Sequence, residues 1–242
     1  MPRQRFIAEI KTHNMKISAQ ELYRRLTVDY DLIGKTGIIN FTLKDLTISI
    51  ESRDTVGNLI QDWLVQWMKR EQISFDVNPS SQTFPDIYLN VDDRKKDLIE
   101  IKTFDFKRGA GFDLANFESY CGSLLTNAYR LDSDYLIIAY KMHGSQITIE
   151  NIWLKKIWEI AGGSSTYPIK VQEKKLIIYN LRPINWYSER STFKAFNNKE
   201  EFLKALSETR YQYSKTHHDN SHWLKNVVKN YAEHTGTKLV IK

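Results

Sequence analysis

Hydrophobic positions along the chain switch between two periods. In residues 56–71, VGNLIQDWLVQWMKRE, the side chains of Val56, Leu59, Ile60, Trp63, Leu64 and Trp67 fall on one stripe at helical spacing. This stripe predicts a helix packed on a sheet rather than a tryptophan-lined binding site. A second amphipathic helix is predicted over residues 18–31, opening on Ser18 as its cap. Residues 34–52, GKTGIINFTLKDLTISIES, alternate apolar with polar and read as a hairpin. Three nearly continuous apolar runs read as strands: DIYLNV from Asp86, DLIEIKTFDF from Asp97 and DYLIIAYKM from Asp134. The polar turn DDRKK separates the first two, and residues 112–131, read as a helix, separate the last two. Strand, helix, strand implies a crossover between parallel neighbours buried on both faces.

Further along, IENIWLKKIWEIAGG (residues 149–163) is expected to form a helix ending at its glycines. Residues 168–183 are expected to form a second hairpin, and the chain from Asn197 onward to be mainly helical. The prediction is an α/β fold, a central mixed β-sheet flanked by helices, with extra helices at the C-terminal end. We expect one domain over residues 1–242, with residues 1–14 as an N-terminal extension and 191–242 as a helical C-terminal elaboration.

Composition narrows the function classes. At 242 residues, 41% hydrophobic and 26% charged, the chain can bury a sizeable core and matches neither a disordered nor a fibrous sequence. No apolar run is long enough to span a bilayer, and Glu9 and Lys11 interrupt the short N-terminal one, so a cytoplasmic protein is expected. The single cysteine, Cys121, allows no internal disulfide and is read as a buried structural residue. GKTG resembles a phosphate loop, but Asp29 stands where its first glycine is required, so no nucleotide cofactor is expected. His217, His218 and His222 have no cysteines nearby and read as a solvated helix end. A net charge of +6 points mildly to a polyanionic partner.

The chemistry concentrates where polar groups interrupt the apolar strands. Asp86 opens one strand; Glu100 lies between Ile99 and Ile101 in the next, with Lys102 two residues on. Side chains alternate faces along a strand, so Glu100 and Lys102 share one face while Ile99 and Ile101 point to the other. If the two strands pair, the three polar groups converge at one end of the sheet. Hard cations such as Mg2+ take oxygen ligands, usually one or two carboxylates beside substrate phosphate and water. Asp86, Glu100 and the backbone carbonyl of Ile101 are the candidate ligands, and Lys102 is the candidate for orienting the attacking water or neutralising the transition state. Surface carboxylates in ordinary ion pairs are the competing reading, but burial of Glu100 between two isoleucines needs a reason.

Pro85-Asp86 followed by Glu100-Ile101-Lys102 resembles the PD-(D/E)XK nuclease signature. The surrounding helix–strand–strand–helix–strand order resembles that restriction-endonuclease-like core. The runs VGNLIQDWL, LIEIKTFD, GFDLANFESY, DYLIIAYKM, IWLKKIWEI and LRPINWYS are similar to the NgoBV/NlaIV-like type II restriction endonucleases, from about Met15 to about Ser188. The resemblance implies a homodimer that cuts double-stranded DNA with Mg2+ at a short palindrome of the GGNNCC kind, by attack of a metal-activated water on the phosphodiester. Many members of the superfamily add an acidic residue from the first core helix. Here that helix offers only Asp62, beside Gln61, and both stand as candidate supporting groups. Two other readings use the same scaffold: a repair or junction-resolving nuclease, and a DNA-binding module without catalysis.

A duplex-cutting enzyme must hold phosphates and read base edges. Lys107 and Arg108 directly follow the strand that carries Glu100, with Gly109 and Gly111 allowing close backbone approach. Asn180, Arg182, Asn185 and Arg190 gather in YNLRPINWYSER without an apolar stripe. These six polar side chains are the candidate DNA contacts.

Overall fold

The computed structural model describes residues 14–52, 55–80 and 83–241, so residues 1–13, nearly all of the expected N-terminal extension, lie outside the described residues. Helix α1 (Ala19–Arg24) starts at Ser18, whose hydroxyl accepts from the Glu21 amide, and runs into a π-helical turn at Arg25–Asp29. Three short strands follow, β1 (Thr36–Ile38), β2 (Asn40–Leu43) and β3 (Leu46–Ser49), and then helix α2 (Val56–Arg70). Strands β4 (Asp76–Val77), β5 (Ile87–Tyr88) and β6 (Leu98–Asp105) lead to β7 (Ala115–Asn116) and helix α3 (Phe117–Ser123). The long strands β8 (Asp134–His143) and β9 (Gln146–Lys156) come next, then the hairpin β10 (Val171–Lys174) and β11 (Ile177–Leu181). Helices α4 (Lys199–Gln212) and α5 (Asn220–Thr235) complete the C-terminal part.

A six-stranded sheet in the order β1-β9-β8-β6-β5-β4 forms the centre. Among the described strands of this sheet only β6 and β8 pair in parallel, as the strand–helix–strand pattern predicts. One face of the sheet packs on α1 and α2, where Leu22, Leu26, Ile60 and Leu64 meet Ile99, Ile101, Leu136 and Ile138. The other face packs on the C-terminal helices, where Phe202, Leu206, Trp223 and Val227 join Tyr135, Ile137 and Ala139. Cys121 is buried in this second core. Both faces are dry, which explains why β6 and β8 read as continuous apolar runs rather than alternating ones.

Three expectations change. Residues 149–163 are not a helix: most of the segment lies in β9, antiparallel to β8. The register passes from Ala139–Asn151 to Tyr140–Ile149, leaving Glu150 as the extra residue of a bulge. The bulge reverses the parity of the strand, so Ile149 and Ile152 reach the same core face three residues apart, a spacing that imitates a helix. Second, residues 34–52 do not form one hairpin. β1 joins the edge of the central sheet through Thr36–Thr148, while β2 and β3 form a separate two-stranded ribbon. Third, the helix expected over residues 112–131 is broken. β7 pairs with β11, Asn116 caps α3 by accepting from the Ser119 amide, and a 3-10 turn at Ala128–Asp132 leads into β8.

The helical stripe of α2 also divides. Val56, Ile60, Leu64 and Trp67 are buried as expected, whereas Leu59 and Trp63 remain exposed. Gly57 lies where α2 crosses β6: a Cβ there would sit 2.8 Å from Thr103 Oγ1, so glycine permits the close approach. The second hairpin forms as expected, with Lys175 and Leu176 both at positive φ in its two-residue turn.

Candidate active site

The site begins where the pairing of β5 with β6 stops. The ladder ends at Ile87–Ile99, so the edge of β6 beyond Ile99 has no backbone partner from β5. The Asp86 carboxylate takes that place: its Oδ2 accepts from the Ile101 amide at 2.7 Å. Amide and carbonyl of one strand residue point to the same side, so the Ile101 carbonyl is directed to this edge as well. The Asp86 backbone carbonyl accepts from the Asn78 amide at 3.0 Å, and the Asn78 side chain donates to the Pro85 carbonyl at 3.0 Å. Gln61 on α2, one turn beyond Gly57, donates Nε2 to Asp86 Oδ1 at 3.2 Å. Asp62, the next residue around that helix, is exposed. Gln61 therefore touches Asp86, and Asp62 does not line the cleft described below.

Glu100 and Lys102 share a face of β6, as strand parity requires. Lys102 Nζ donates to Glu100 Oε1 at 2.8 Å. Glu100 is only 9% exposed, and its second oxygen, Oε2, is buried without a hydrogen-bond partner. Burial pushes the Glu100 pKa above the ordinary carboxylate value and the nearby Asp86 charge adds to the rise, against the opposing effects of Lys102 and of the Asp86 backbone amide. A buried carboxylate oxygen with no donor is costly unless a cation satisfies it. Asp86, Glu100 and the Ile101 carbonyl form an all-oxygen donor set suited to a hard divalent ion. Among the described residues no cluster of three or more His, Cys, Asp or Glu side chains could hold a metal, so the protein side chains here offer two carboxylates.

The trio opens into a cleft of about 480 Å3. Its lining also includes residues of β7, α3 and the segment that follows, among them Asn116, Ser119, Tyr120 and Arg130. The Arg130 guanidinium stacks over the Phe84 ring at 5.3 Å, its Nη2 lies 3.5 Å from the Phe84 carbonyl, and its Nε is buried without a partner. The Tyr120 hydroxyl is also buried and unpartnered, and burial raises its pKa. Sequence reading missed both residues. The available signal for Arg130 was the one that marked Glu100: a charge between buried neighbours, here Ala128 and Leu131.

The six candidate DNA contacts divide. Asn180 lines the cleft, and its side chain donates to Gln172. Lys107 and Arg108 sit exposed in the turn after β6, which Asp105 closes by accepting from the Lys107 amide at 3.0 Å. Arg182 is engaged inside the chain, donating to the Gly111 carbonyl and pairing with Asp113 at 3.1 Å. Asn185 and Arg190 are exposed beyond β11 and do not line the cleft. The adjoining Trp186 and Tyr187 pack into an aromatic cluster with Phe104 and Trp153.

Comparison with known proteins gives a consistent result. The sequence profile of the NgoBV restriction endonuclease family matches residues 16–242, so the similarity reaches past Ser188 and includes the C-terminal helices. The chain is 35% identical over 229 residues to the type II restriction enzyme NlaIV of Neisseria lactamica, covering 94% of each chain. It is 33% identical over 162 residues to the type II restriction enzyme NgoBV of Neisseria gonorrhoeae, covering 66% of this chain and 92% of that one. The solved structure of NlaIV restriction endonuclease superposes with a TM-score of 0.90 at 35% identity, over 94% of both chains.

Proposed function

Because this chain belongs to the NgoBV restriction endonuclease family, whose curated relatives are type II restriction enzymes, we propose that it makes Mg2+-dependent double-strand cuts at a short palindromic DNA site, acting in the cytoplasm as a homodimer without a nucleotide cofactor. The observation that carries the catalytic part is the buried Glu100 carboxylate, its Oε2 without a hydrogen-bond partner, in the lining of one cleft with Asp86 and Lys102. A palindrome mirrors a twofold axis, and one trio per chain cuts one strand, so two copies serve one site.

Asp86, Glu100 and the Ile101 carbonyl would hold the ion. When bound, it supplies Lewis acidity that polarises the phosphodiester and acidifies water. The chain's own groups do the remaining work. The Ile101 amide and Gln61 fix both oxygens of Asp86, so its carboxylate keeps one orientation as charge develops. Lys102 Nζ, tethered to Glu100 Oε1, presents further donors toward the cleft. There it orients the attacking water and neutralises charge on the non-bridging oxygens in the transition state. Arg130, which also lines the cleft, offers a planar cation for the same phosphate. Lys107, Arg108, Asn180, Asn185 and Arg190 are the proposed contacts to the duplex, and Arg182, engaged with Gly111 and Asp113, orders the loop beside them.

The test is incubation of a long duplex with protein and Mg2+, followed by sequencing of the fragment ends. Cuts at one recurring palindrome support the proposal. Asp86→Ala, Glu100→Ala and Lys102→Ala should each abolish cleavage and leave site-specific binding in Ca2+ largely intact. Near wild-type cutting by any of the three, or robust cutting in EDTA, refutes this assignment of the site.

A further inference from the structure

The β2–β3 ribbon carries a clean amphipathic pattern, and among the described residues nothing covers its apolar side. Its register sets Phe41 against Ile48 and Leu43 against Leu46, while Asn40 faces Ser49 and Thr42 faces Thr47. One face is therefore wholly apolar and the other wholly polar. Such alternation marks a sheet with one buried face, yet Phe41, Leu43, Leu46 and Ile48 are 52%, 69%, 66% and 46% exposed. A two-stranded ribbon alone in water is marginally stable, so these side chains need a cover that the described residues of the chain do not provide. Beside the ribbon lies an apolar groove of about 570 Å3 between α2 and β1, with Ile38, Leu59 and Trp63 in its walls. All three side chains are exposed, and Leu59 and Trp63 are the part of the α2 stripe that the central sheet leaves uncovered.

We infer that the apolar face of the ribbon and this groove form the contact with a second copy of the chain. The inference rests on the reading of the protein as an enzyme that needs two copies to cut two strands, and it names the surface that joins them. Three features favour a second copy over another occupant. The protrusion and the groove lie on the same chain and adjoin each other, so a twofold axis lets each ribbon meet the other copy's groove in one isologous contact. At on the order of 100 Å2 apiece, these seven exposed side chains present about 700 Å2 per copy, close to the ~800 Å2 that each partner buries in a standard interface. The ribbon face carries no charge, and Lys44 and Asp45 stand only at its tip. A charged peptide would find no partner there, and DNA binding requires cations that this face lacks.

The test is sedimentation equilibrium of the full chain without DNA or metal. The wild type is expected to be dimeric. Leu43→Lys/Leu46→Lys is expected to raise the dimer dissociation constant by on the order of 100-fold or more, with an unchanged circular dichroism spectrum. Thr42→Lys, on the polar face, is expected to remain dimeric. Should the lysine pair misfold, Leu43→Ser/Leu46→Ser is expected to weaken the dimer in the same direction. A wild type that stays monomeric over the accessible concentration range overturns the inference, as does a dimer that both double substitutions leave intact. A dimer that the double substitution dissociates, from a wild type that cuts no DNA, supports the interface and removes the cleavage reading instead. Cleavage by a protein whose dimer survives the substitution does the reverse.

Discussion

Glu100→Gln should stabilise the metal-free protein while removing its activity. The side chain is 9% exposed; one oxygen accepts from Lys102 at 2.8 Å and the other has no partner. Burial raises its pKa above the ordinary value of 4.5, Asp86 raises it further, and Lys102 offsets only part of the rise. A buried unsatisfied polar group costs about 1–3 kcal/mol, more when charged. The neutral amide keeps the shape and removes the charge but leaves an unpartnered NH2 in its place, so only the difference between a charged and a neutral unsatisfied group is gained, about 1 kcal/mol in EDTA. For a chain of this size that corresponds to a rise of roughly 2–4 °C in Tm. The sign with pH follows from linkage. Between the ordinary carboxylate value and the raised one, the folded state holds more protons than the unfolded state, so wild-type stability falls as pH rises through that window. The advantage of the variant should therefore be full above the raised pKa and vanish below the ordinary value of 4.5. Thermal denaturation by circular dichroism at several pH values in EDTA measures it. Adding Ca2+ or Mg2+ should then raise the Tm of the wild type, by the equivalent of about 2.7 kcal/mol at a hundredfold excess over Kd, and leave the variant unmoved. A Glu100→Gln protein several degrees less stable than wild type near neutral pH in EDTA would refute the reasoning, because the Lys102 ion pair would then outweigh burial.

Gly57→Ala places a Cβ 2.8 Å from Thr103 Oγ1 and should push α2 away from β6, taking Gln61 from Asp86. Overpacking of about 1–3 kcal/mol is offset by about 1 kcal/mol of helix propensity. The diagnostic is therefore a coupling of about 1–3 kcal/mol with Thr103→Ala in a double-mutant cycle of urea unfolding; additive effects would show that the contact does not set the helix position. Arg130→Gln should slow single-turnover cleavage by on the order of 100-fold, and an unchanged rate would show that its guanidinium does not meet the phosphate. Lys107→Ala and Arg108→Ala, both exposed, should each reduce the salt slope of DNA binding by about 1. Arg182→Ala, whose guanidinium holds Gly111 and Asp113, should instead lower Tm and leave that slope unchanged. A loss of slope with no loss of Tm would place Arg182 on the DNA rather than on the loop.

The sequence alone was enough for the long strand β6 and for the grouping of Glu100 with Lys102, whereas the strand expected from Asp86 shortens to Ile87–Tyr88. Both depend on local rules: a two-residue side-chain period, and polar residues set in runs that otherwise belong to a core. It also marked Gln61 as a supporting candidate, although contact with Asp86 depends on a glycine one turn earlier letting the helix come close. Tertiary structure decided the rest. The bulge at Glu150 reversed the parity of β9 and made a strand look helical from its spacing. The segment of residues 34–52 alternates throughout, yet its first strand pairs with β9 and its last two with each other, a choice between sheets that alternation does not encode. Arg130 reaches the cleft from beyond α3, 30 residues after Glu100, through the crossover that makes β8 parallel to β6. Hydrophobic periodicity states which side chains must leave water but not what they will meet, because burial has no direction until other elements, or another copy of the chain, supply the opposing surface.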